Sequence, residues 1–188
     1  MKLMIASDLH GSAAYTRRLL ELYRDTGCQR LVLLGDLLYH GPRNPLPEGY
    51  EPPAVAKMLN DMADELLCVR GNCDAEVDQM VLHFPILSDS ALLVLDGLTI
   101  HATHGHIHGP DTPPPLRQGD ILLCGHFHVP GAPGLRPLHL SESRLRSPAQ
   151  GEQPPQLHGA GGRTVHMAGR GDGSALPAPW MTVLLDAA

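Results

Sequence analysis

The sequence is poor in aromatic residues and contains no long apolar run. Aromatic side chains make up 4% of its 188 residues, and 43% of the residues are hydrophobic, so we expect one domain with a mostly aliphatic core. No segment approaches the ~20 apolar residues that a membrane-spanning helix needs, and the apolar start of the chain is too short for a signal peptide. We therefore expect a protein of the reducing cytoplasm without a membrane partner.

The chain also lacks a basic excess and a cysteine framework. A net charge of -6 argues against a general nucleic-acid binder, because such proteins carry a basic face. The four cysteines show no spacing typical of zinc knuckles or disulfide frameworks. Cys68 and Cys124 fall within predicted buried strands, where we expect them to act as small core residues. Histidine, in contrast, is abundant, with twelve residues, and these residues are clustered.

Apolar runs and helical periodicity alternate along the first part of the chain. The apolar runs predict buried strands at residues 2–7, 30–34, 67–69 and 121–124. Helical periodicity predicts amphipathic helices at residues 12–24, with Ser12 as N-cap, and at residues 54–66. Strand, helix, strand in this order predicts parallel pairing. Asp96-Gly97 between two apolar runs predicts a hairpin of residues 91–95 and 98–102, whereas residues 40–53 form a proline-rich loop.

Polar clusters follow directly after these strands. They are Asp8-Leu9-His10, Gly35-Asp36, Gly71-Asn72-Cys73-Asp74, His104, and Gly125-His126-Phe127-His128. Because ligands of open α/β sheets bind at the carboxyl ends of the strands, we expect these clusters to converge. Each residue alone has an ordinary interpretation, such as a cap, a turn or a solvated loop residue. Together, His, Asp and Asn favour a site for divalent Mn, Fe or Zn over Mg or Ca.

A two-metal site would hydrolyse phosphate esters without a nucleophilic side chain. Two ions roughly 3.5–4 Å apart need a bridging carboxylate, and Asp36 is the natural bridge because Gly35 lets the backbone come close. Hydroxide bridging the two ions would attack phosphorus in line. The sequence shows no Ser or Cys triad pattern, which agrees with this chemistry.

The series D-x-H, G-D, G-N-[HC]-D, a strand-end His and G-H-x-H resembles the calcineurin-like metallophosphoesterase superfamily, and in particular a small bacterial phosphodiesterase subgroup. The likeness extends from residue 1 to about residue 130. It implies a four-layer αββα sandwich of α/β class with the site between two sheets. It also implies two divalent ions, manganese preferred and zinc, iron or nickel as alternatives, and a homo-oligomer. The implied ligands are Asp8, His10, Asp36 and His128 for the first ion, and Asp36, Asn72, His104 and His126 for the second.

Most members of the superfamily carry histidine after the Asn, where it helps to protonate the leaving group or to bind phosphate. This chain carries Cys73, as the subgroup does, and a thiol is a poor substitute for an imidazolium. We therefore predict a phosphodiesterase acting on a small phosphodiester, with Asn72, Cys73 and His104 around the phosphate. His106 and Arg43 are candidate substrate contacts. The alternatives are a phosphomonoesterase or nucleotide pyrophosphatase on the same scaffold, or an inactive metal-binding interaction scaffold.

The composition changes after about Gly131. Residues 131–173 are rich in Gly, Pro, Arg, Gln and Ser and show neither helical nor strand periodicity, which predicts disorder. In this part of the chain, residues 180–185 resemble a strand. An Asn-Pro-Gly-Ser corner expected from the resemblance is missing, yet some of the codons permitted for Glu142 to Arg146 can encode Asn-Pro-Gly-Ser-Val when they are read one base later. We hypothesise a one-base frameshift near Ser141, which makes residues 141–188 a divergent tail of the single domain. An early stop codon in the shifted frame of the gene would contradict this hypothesis.

Overall fold

The computed structural model describes residues 1–95 and 97–126, and the backbone of three later strands. In chain order the elements are β1 Lys2–Ala6, α1 Ala13–Thr26, β2 Arg30–Leu33, α2 Pro52–Asn60, a 3-10 turn Ala63–Glu65, β3 Leu66–Cys68, α3 Glu76–Gln79, β4 Ser90–Leu95, β5 Leu98–Thr103, β6 Ile121–Cys124, β7 Leu157–Gly159, β8 Arg163–Met167 and β9 Val183–Asp186. They form a six-stranded sheet in the order β3-β2-β1-β9-β8-β7 and a three-stranded sheet in the order β4-β5-β6.

The central strand β1 is buried on both faces, which explains its continuous apolar sequence. Met4 and Ala6 pack into the core beneath α1 and α2, whereas Leu3 and Ile5 pack into the core between the two sheets. β1 pairs in parallel with β2, which pairs in parallel with β3. The predicted mixed α/β class is thus confirmed, with a helix layer and two sheets around two cores.

Helix α1 begins and ends as local sequence rules require. The Ser12 side chain accepts a hydrogen bond from the backbone N–H of Tyr15 at 3.2 Å, which confirms the predicted N-cap. Gly27 ends the helix with a left-handed φ of 65°, a conformation that glycine adopts without steric cost. The helix extends two residues beyond the predicted end at Arg24.

The second sheet contains the predicted hairpin. β4 and β5 pair antiparallel from Ser90 opposite Thr103 to Leu95 opposite Leu98, and β6 pairs in parallel with β5. Asp96 of the predicted turn lies outside the described residues. Alternation along β4 turns Leu93 toward the core between the sheets and leaves Leu92 and Val94 largely exposed.

The predicted helix over residues 54–66 is wrong at both ends. Helix α2 begins at Pro52 and ends at Asn60, and β3 begins at Leu66. The apolar spacing continues to Met62, but the Asn60 side chain binds a different segment: its Nδ2 donates to the carbonyl of Val81, and its Oδ1 accepts from the backbone N–H of His83, both at 2.8 Å. This tertiary contact fastens residues 81–83 to the end of α2, and the sequence pattern does not reveal it.

Strands β7, β8 and β9 extend the first sheet beside β1. β9 pairs antiparallel with β1 and with β8, and β8 pairs antiparallel with β7. β9 overlaps the strand-like residues 180–185, whereas β7 and β8 lie within residues 131–173, for which the sequence predicted disorder. The rest of the predicted tail lies outside the described residues. Among the helices that the structure describes, none combines the length and the apolar character required to span a bilayer.

Candidate metal centre

The polar clusters predicted at the strand ends are joined by backbone hydrogen bonds. The backbone N–H of Asp8 donates to the carbonyl of Gly35 at 3.0 Å, and that of His10 donates to the carbonyl of Asp36 at 2.9 Å. The backbone N–H of His126 donates to Oδ2 of Asp8 at 3.0 Å. The ends of β1, β2 and β6 are therefore held against one another, as the rule for the carboxyl ends of strands predicted.

Backbone strain is concentrated at these same residues. Within the described part of the chain, the non-glycine residues with positive φ are Asp8, His10, Asp36 and His126, with φ between 47° and 71°. Left-handed conformations cost free energy for residues with a Cβ and persist where surrounding structure enforces them. All four were predicted as metal ligands.

The carboxylate of Asp36 lies at the centre of the cluster and is 2% exposed. Its Oδ1 accepts from the backbone N–H of Cys73 at 2.8 Å. Its Oδ2 lies 3.6 Å from Nε2 of His10 and 3.5 Å from Nε2 of His104. One carboxylate oxygen thus faces two imidazoles from different strand ends, a geometry that suits a bridging ligand.

Two backbone carbonyls orient these imidazoles. Nδ1 of His10 donates to the carbonyl of Tyr39, and Nδ1 of His104 donates to the carbonyl of Leu34, each at 2.7 Å. In a neutral ring the proton therefore resides on Nδ1, and Nε2 presents a lone pair toward Asp36. Histidines that ligate metals are typically fixed in this way.

The donor set fits a cation. Asn72 donates through Nδ2 to the sulfur of Cys73 at 3.2 Å, which turns its Oδ1 toward Nε2 of His104 at 3.0 Å. A neutral His104 and the Asn72 amide then direct two lone pairs at each other, beside the Asp36 carboxylate. A divalent cation would turn this repulsion into coordination.

The structure brings together six of the seven predicted ligands. Donor atoms of Asp8, Asp36 and His104 lie within 4.8 Å of one another, and all three residues are buried. The His126 ring centroid lies 5.0 Å from that of His104. His128, the seventh ligand, lies outside the described residues.

The two predicted substrate contacts are placed differently. The His106 ring centroid lies 5.3 Å from that of His104. Desolvation, together with the neighbouring His104 and His126 imidazoles, lowers the pKa of His106 below its ordinary value, which favours the neutral ring. Arg43 is exposed on the predicted proline-rich loop, which ends before α2 begins at Pro52 and not at residue 53.

Cys73 is half-buried beside Asp36. Burial, and then the negative charge of Asp36 and its hydrogen bond to the thiol, raise the pKa of Cys73 to about 12. The thiol is thus protonated near neutral pH and is a weak acid. The charge and the hydrogen bond both come from Asp36, and a bound cation would offset the negative charge of this carboxylate.

Asp74 joins two segments that carry predicted ligands: the Asp36 corner, which follows β2, and the Asn72 corner, which follows β3. The sequence did not predict this role. Its Oδ2 accepts from the backbone N–H groups of Asp36 at 2.8 Å and Gly71 at 2.7 Å, and its Oδ1 accepts from that of Leu37 at 2.9 Å. Burial raises the pKa of Asp74, although the amide donors act in the opposite direction. Its position in the G-N-C-D motif was the only available signal, because backbone partners are not visible in a sequence.

We expect Asp74→Asn to weaken metal binding as well as stability. The asparagine amide presents one acceptor where two carboxylate oxygens serve three N–H groups, so a buried N–H loses its partner at about 1–3 kcal/mol. Asp36 and the Asn72 corner would then lose their common anchor. Isothermal titration with manganese, well below the melting temperature, should show affinity reduced by about 10–100-fold.

Asp78→Asn is the matched control for this prediction. Oδ2 of Asp78 accepts from the backbone N–H of Ala75 at 2.8 Å, so this variant also disturbs a hydrogen bond that a carboxylate accepts from the backbone, but at helix α3. It should lose some stability and keep its manganese affinity. Equal affinities for the two variants would show that Asp74 does not position the ligands.

Comparisons with known proteins agree with this geometry. A model of the calcineurin-like phosphoesterase superfamily domain matches residues 1–140. Phosphodiesterase YfcE of Escherichia coli K12 is 54% identical over 132 residues, which cover 70% of this chain and 72% of the relative. The protein of the same name from E. coli O157:H7 shows the same identity. The solved structure of Yfce, a phosphoesterase from E. coli, has a TM-score of 0.68 at 44% identity, and the match covers 88% of this chain and 87% of that chain.

These matches confirm the family that the sequence motifs indicated. The matched residues 1–140 make up well over half of the 188-residue chain, and they include every predicted metal ligand. The chain belongs to the calcineurin-like phosphoesterase superfamily.

Proposed function

We propose that the chain is a phosphodiesterase that depends on two divalent metal ions, preferentially manganese. The observation that carries this proposal is the central Asp36 carboxylate, which faces His10 and His104 from two different strand ends. Membership of the superfamily implies divalent metal ions, and the name of the curated relatives supports diester hydrolysis.

The ligands divide into two groups that share Asp36. Asp8, His10, Asp36 and His128 would hold one ion, and Asp36, Asn72, His104 and His126 would hold the other. When bound, the ions would supply Lewis-acid stabilisation of the phosphoryl group and a nucleophile generated from water.

The chain's own residues position the ester and limit its leaving group. The carbonyls of Tyr39 and Leu34 hold His10 and His104 in the tautomer that presents Nε2. Cys73, with its pKa of about 12, transfers a proton to a leaving oxygen far less readily than an imidazolium does. Esters with a good leaving group are therefore favoured. We also propose that His106, beside His104, and Arg43, on the exposed loop, contact the substrate.

A phosphomonoesterase on the same scaffold is the second candidate. A monoester dianion brings more negative charge to the carboxylates of Asp8 and Asp36 than a diester does, and two divalent ions would offset part of it. The diester is favoured because Cys73 occupies the position where most of the superfamily carries a histidine.

The proposal predicts metal-dependent hydrolysis of an artificial aryl phosphodiester. With manganese, kcat/KM for the diester should exceed that for the matching monoester by roughly 10-fold or more, since Cys73 stands in place of an imidazolium that would offset the second negative charge of the monoester. A chelator should abolish the activity, and added manganese should restore it.

Three other outcomes are informative. Faster monoester hydrolysis would favour the phosphomonoesterase. Hydrolysis that survives the chelator would contradict the metal mechanism. Manganese binding without hydrolysis of either ester would identify an inactive scaffold.

A further inference from the structure

The Cys73 thiol lies beside the candidate metal centre. Donor atoms of His10, Asp36 and Cys73 all lie within 4.8 Å of one another. The backbone N–H of Cys73 donates to Oδ1 of Asp36 at 2.8 Å, and Nδ2 of Asn72 donates to the Cys73 sulfur at 3.2 Å. The position of the thiol beside the carboxylate is thus defined by two contacts.

The three donors differ in chemical type. His10 directs Nε2 inward because its Nδ1 donates to the Tyr39 carbonyl. A nitrogen, a carboxylate oxygen and a sulfur form a set that zinc or cadmium accepts, whereas manganese, magnesium and calcium prefer oxygen-rich shells. Donors that share one zinc-sized ion lie about 3.5 Å apart, from bond lengths of about 2.0–2.3 Å. A small movement of the half-buried thiol would bring all three within reach of one ion.

We propose that His10, Asp36 and Cys73 form a site for a thiophilic divalent cation that competes with manganese. The inference rests on the proposed metal centre, since two of the three ligands are shared with it. Binding forms a bond between the metal and sulfur and releases the thiol proton to solvent, with no change of oxidation state. His10 and Asp36 are then bound to the thiophilic ion, which takes the place of one of the two manganese ions, so the occupied centre no longer supports manganese-dependent hydrolysis.

Cadmium titration of the full chain tests this site by absorption spectroscopy. The thiolate-to-cadmium charge-transfer band in the ultraviolet reports sulfur coordination independently of catalysis. The wild-type chain should develop the band and saturate at one equivalent. Cys73→Ser should lack the band and bind cadmium at least about 10-fold more weakly.

Cys28→Ser is the matched control, because Cys28 is a free cysteine that packs in the core beneath the helices. This variant should keep the band, and one equivalent of cadmium should suppress its manganese-dependent diesterase activity. A wild-type band that persists in Cys73→Ser would assign the sulfur ligand to another cysteine and overturn the proposal, as would the absence of any band in the wild type.

Measuring diester hydrolysis with manganese on the same preparations separates the two proposals. A wild-type chain that hydrolyses the diester but shows no cadmium band would refute the thiol site and leave the proposed function standing. A band of the expected stoichiometry without any hydrolysis would support the thiol site and refute the phosphodiesterase.

Discussion

Asp36→Asn is expected to reduce kcat/KM for the aryl phosphodiester by about 10³-fold or more, a loss of about 4 kcal/mol in transition-state stabilisation. Oδ1 of Asp36 accepts from the backbone N–H of Cys73, so the asparagine oxygen should occupy the Oδ1 position. The amide NH₂ would then replace Oδ2, which faces Nε2 of His10 and His104. The variant would present N–H donors at the point where both ions need a shared anion.

This loss should not come from unfolding. Burial is the main cause that raises the pKa of Asp74, and the negative charge of Asp36 acts in the same direction, as expected for two buried carboxylates that repel each other. Without metal, removing one charge relieves this repulsion, so the melting temperature of Asp36→Asn should equal or exceed that of the wild type. With manganese, the wild type should gain stability and the variant should gain far less.

Asp120→Asn provides the control for removing a carboxylate. Oδ2 of Asp120 lies 3.2 Å from Nε2 of His101 and accepts from the backbone N–H of Arg117 at 2.8 Å. This pair of a carboxylate and an imidazole does not include any of the proposed ligands, so the variant should retain activity within about twofold. If Asp36→Asn kept a tenth or more of the wild-type rate, Asp36 would not be the bridging ligand.

The convergence of the metal ligands could be predicted from sequence because it follows from topology. Apolar runs identified β1, β2 and β6. The parallel strands β1 and β2 end at one edge of the first sheet, whereas β6 ends beside them from the second sheet. Asp8, Asp36 and His126 follow these strands, and their backbone hydrogen bonds join the corners. The Ser12 cap was predictable for a different reason, since it depends only on residues within one helical turn.

The features that sequence could not supply are tertiary. The carbonyls of Tyr39 and Leu34 orient His10 and His104, yet a backbone carbonyl has the same chemistry at every residue and leaves no trace in the sequence. The three amide groups that bind Asp74 come from two separate strand ends, so only the folded chain brings them together.

The family-like region ends close to the position of the proposed frameshift. The family model stops matching at residue 140, next to Ser141, where the frameshift hypothesis places the displaced base. The hypothesis remains a prediction, as does the role of His128. The described ligand residues all lie before this point, and so do the buried residues of the core beneath the helices, which range from Met4 to Ile86.

Gly35→Ala is expected to have the second large effect, because the corners of Asp36 and Asn72 meet backbone to backbone at Gly35. A Cβ at Gly35 would overlap the backbone N of Gly71 and lie 2.6 Å from its Cα, and neither atom can rotate away. The backbone of Gly35 also has a φ of 95°, which alone disfavours alanine. The two corners must therefore separate, which breaks the common anchor at Asp74.

Gly119→Ala separates the cost of the left-handed backbone from the cost of the steric clash with Gly71. Gly119 has nearly the same φ, 94°, and a Cβ there would meet nothing within 4 Å. Gly119→Ala should cost about 1–2 kcal/mol of unfolding free energy and leave kcat/KM unchanged. Gly35→Ala should cost at least about 2 kcal/mol more, because backbone must shift, and should lower kcat/KM by about 10² or more, as expected for ligands misplaced by about 1 Å.

Chemical denaturation and diester kinetics on the two variants distinguish these contributions. If the variants lost equal stability and equal activity, the left-handed backbone would explain both, and the contact between Gly35 and Gly71 would have no separate role. A Gly35→Ala chain that loses stability but keeps its activity would show that the corners can separate without moving the ligands. We expect Gly35→Ala to lose both stability and activity while Gly119→Ala stays active. This result would show that the absence of a side chain at Gly35 permits the close approach that places Asp36 between two imidazoles.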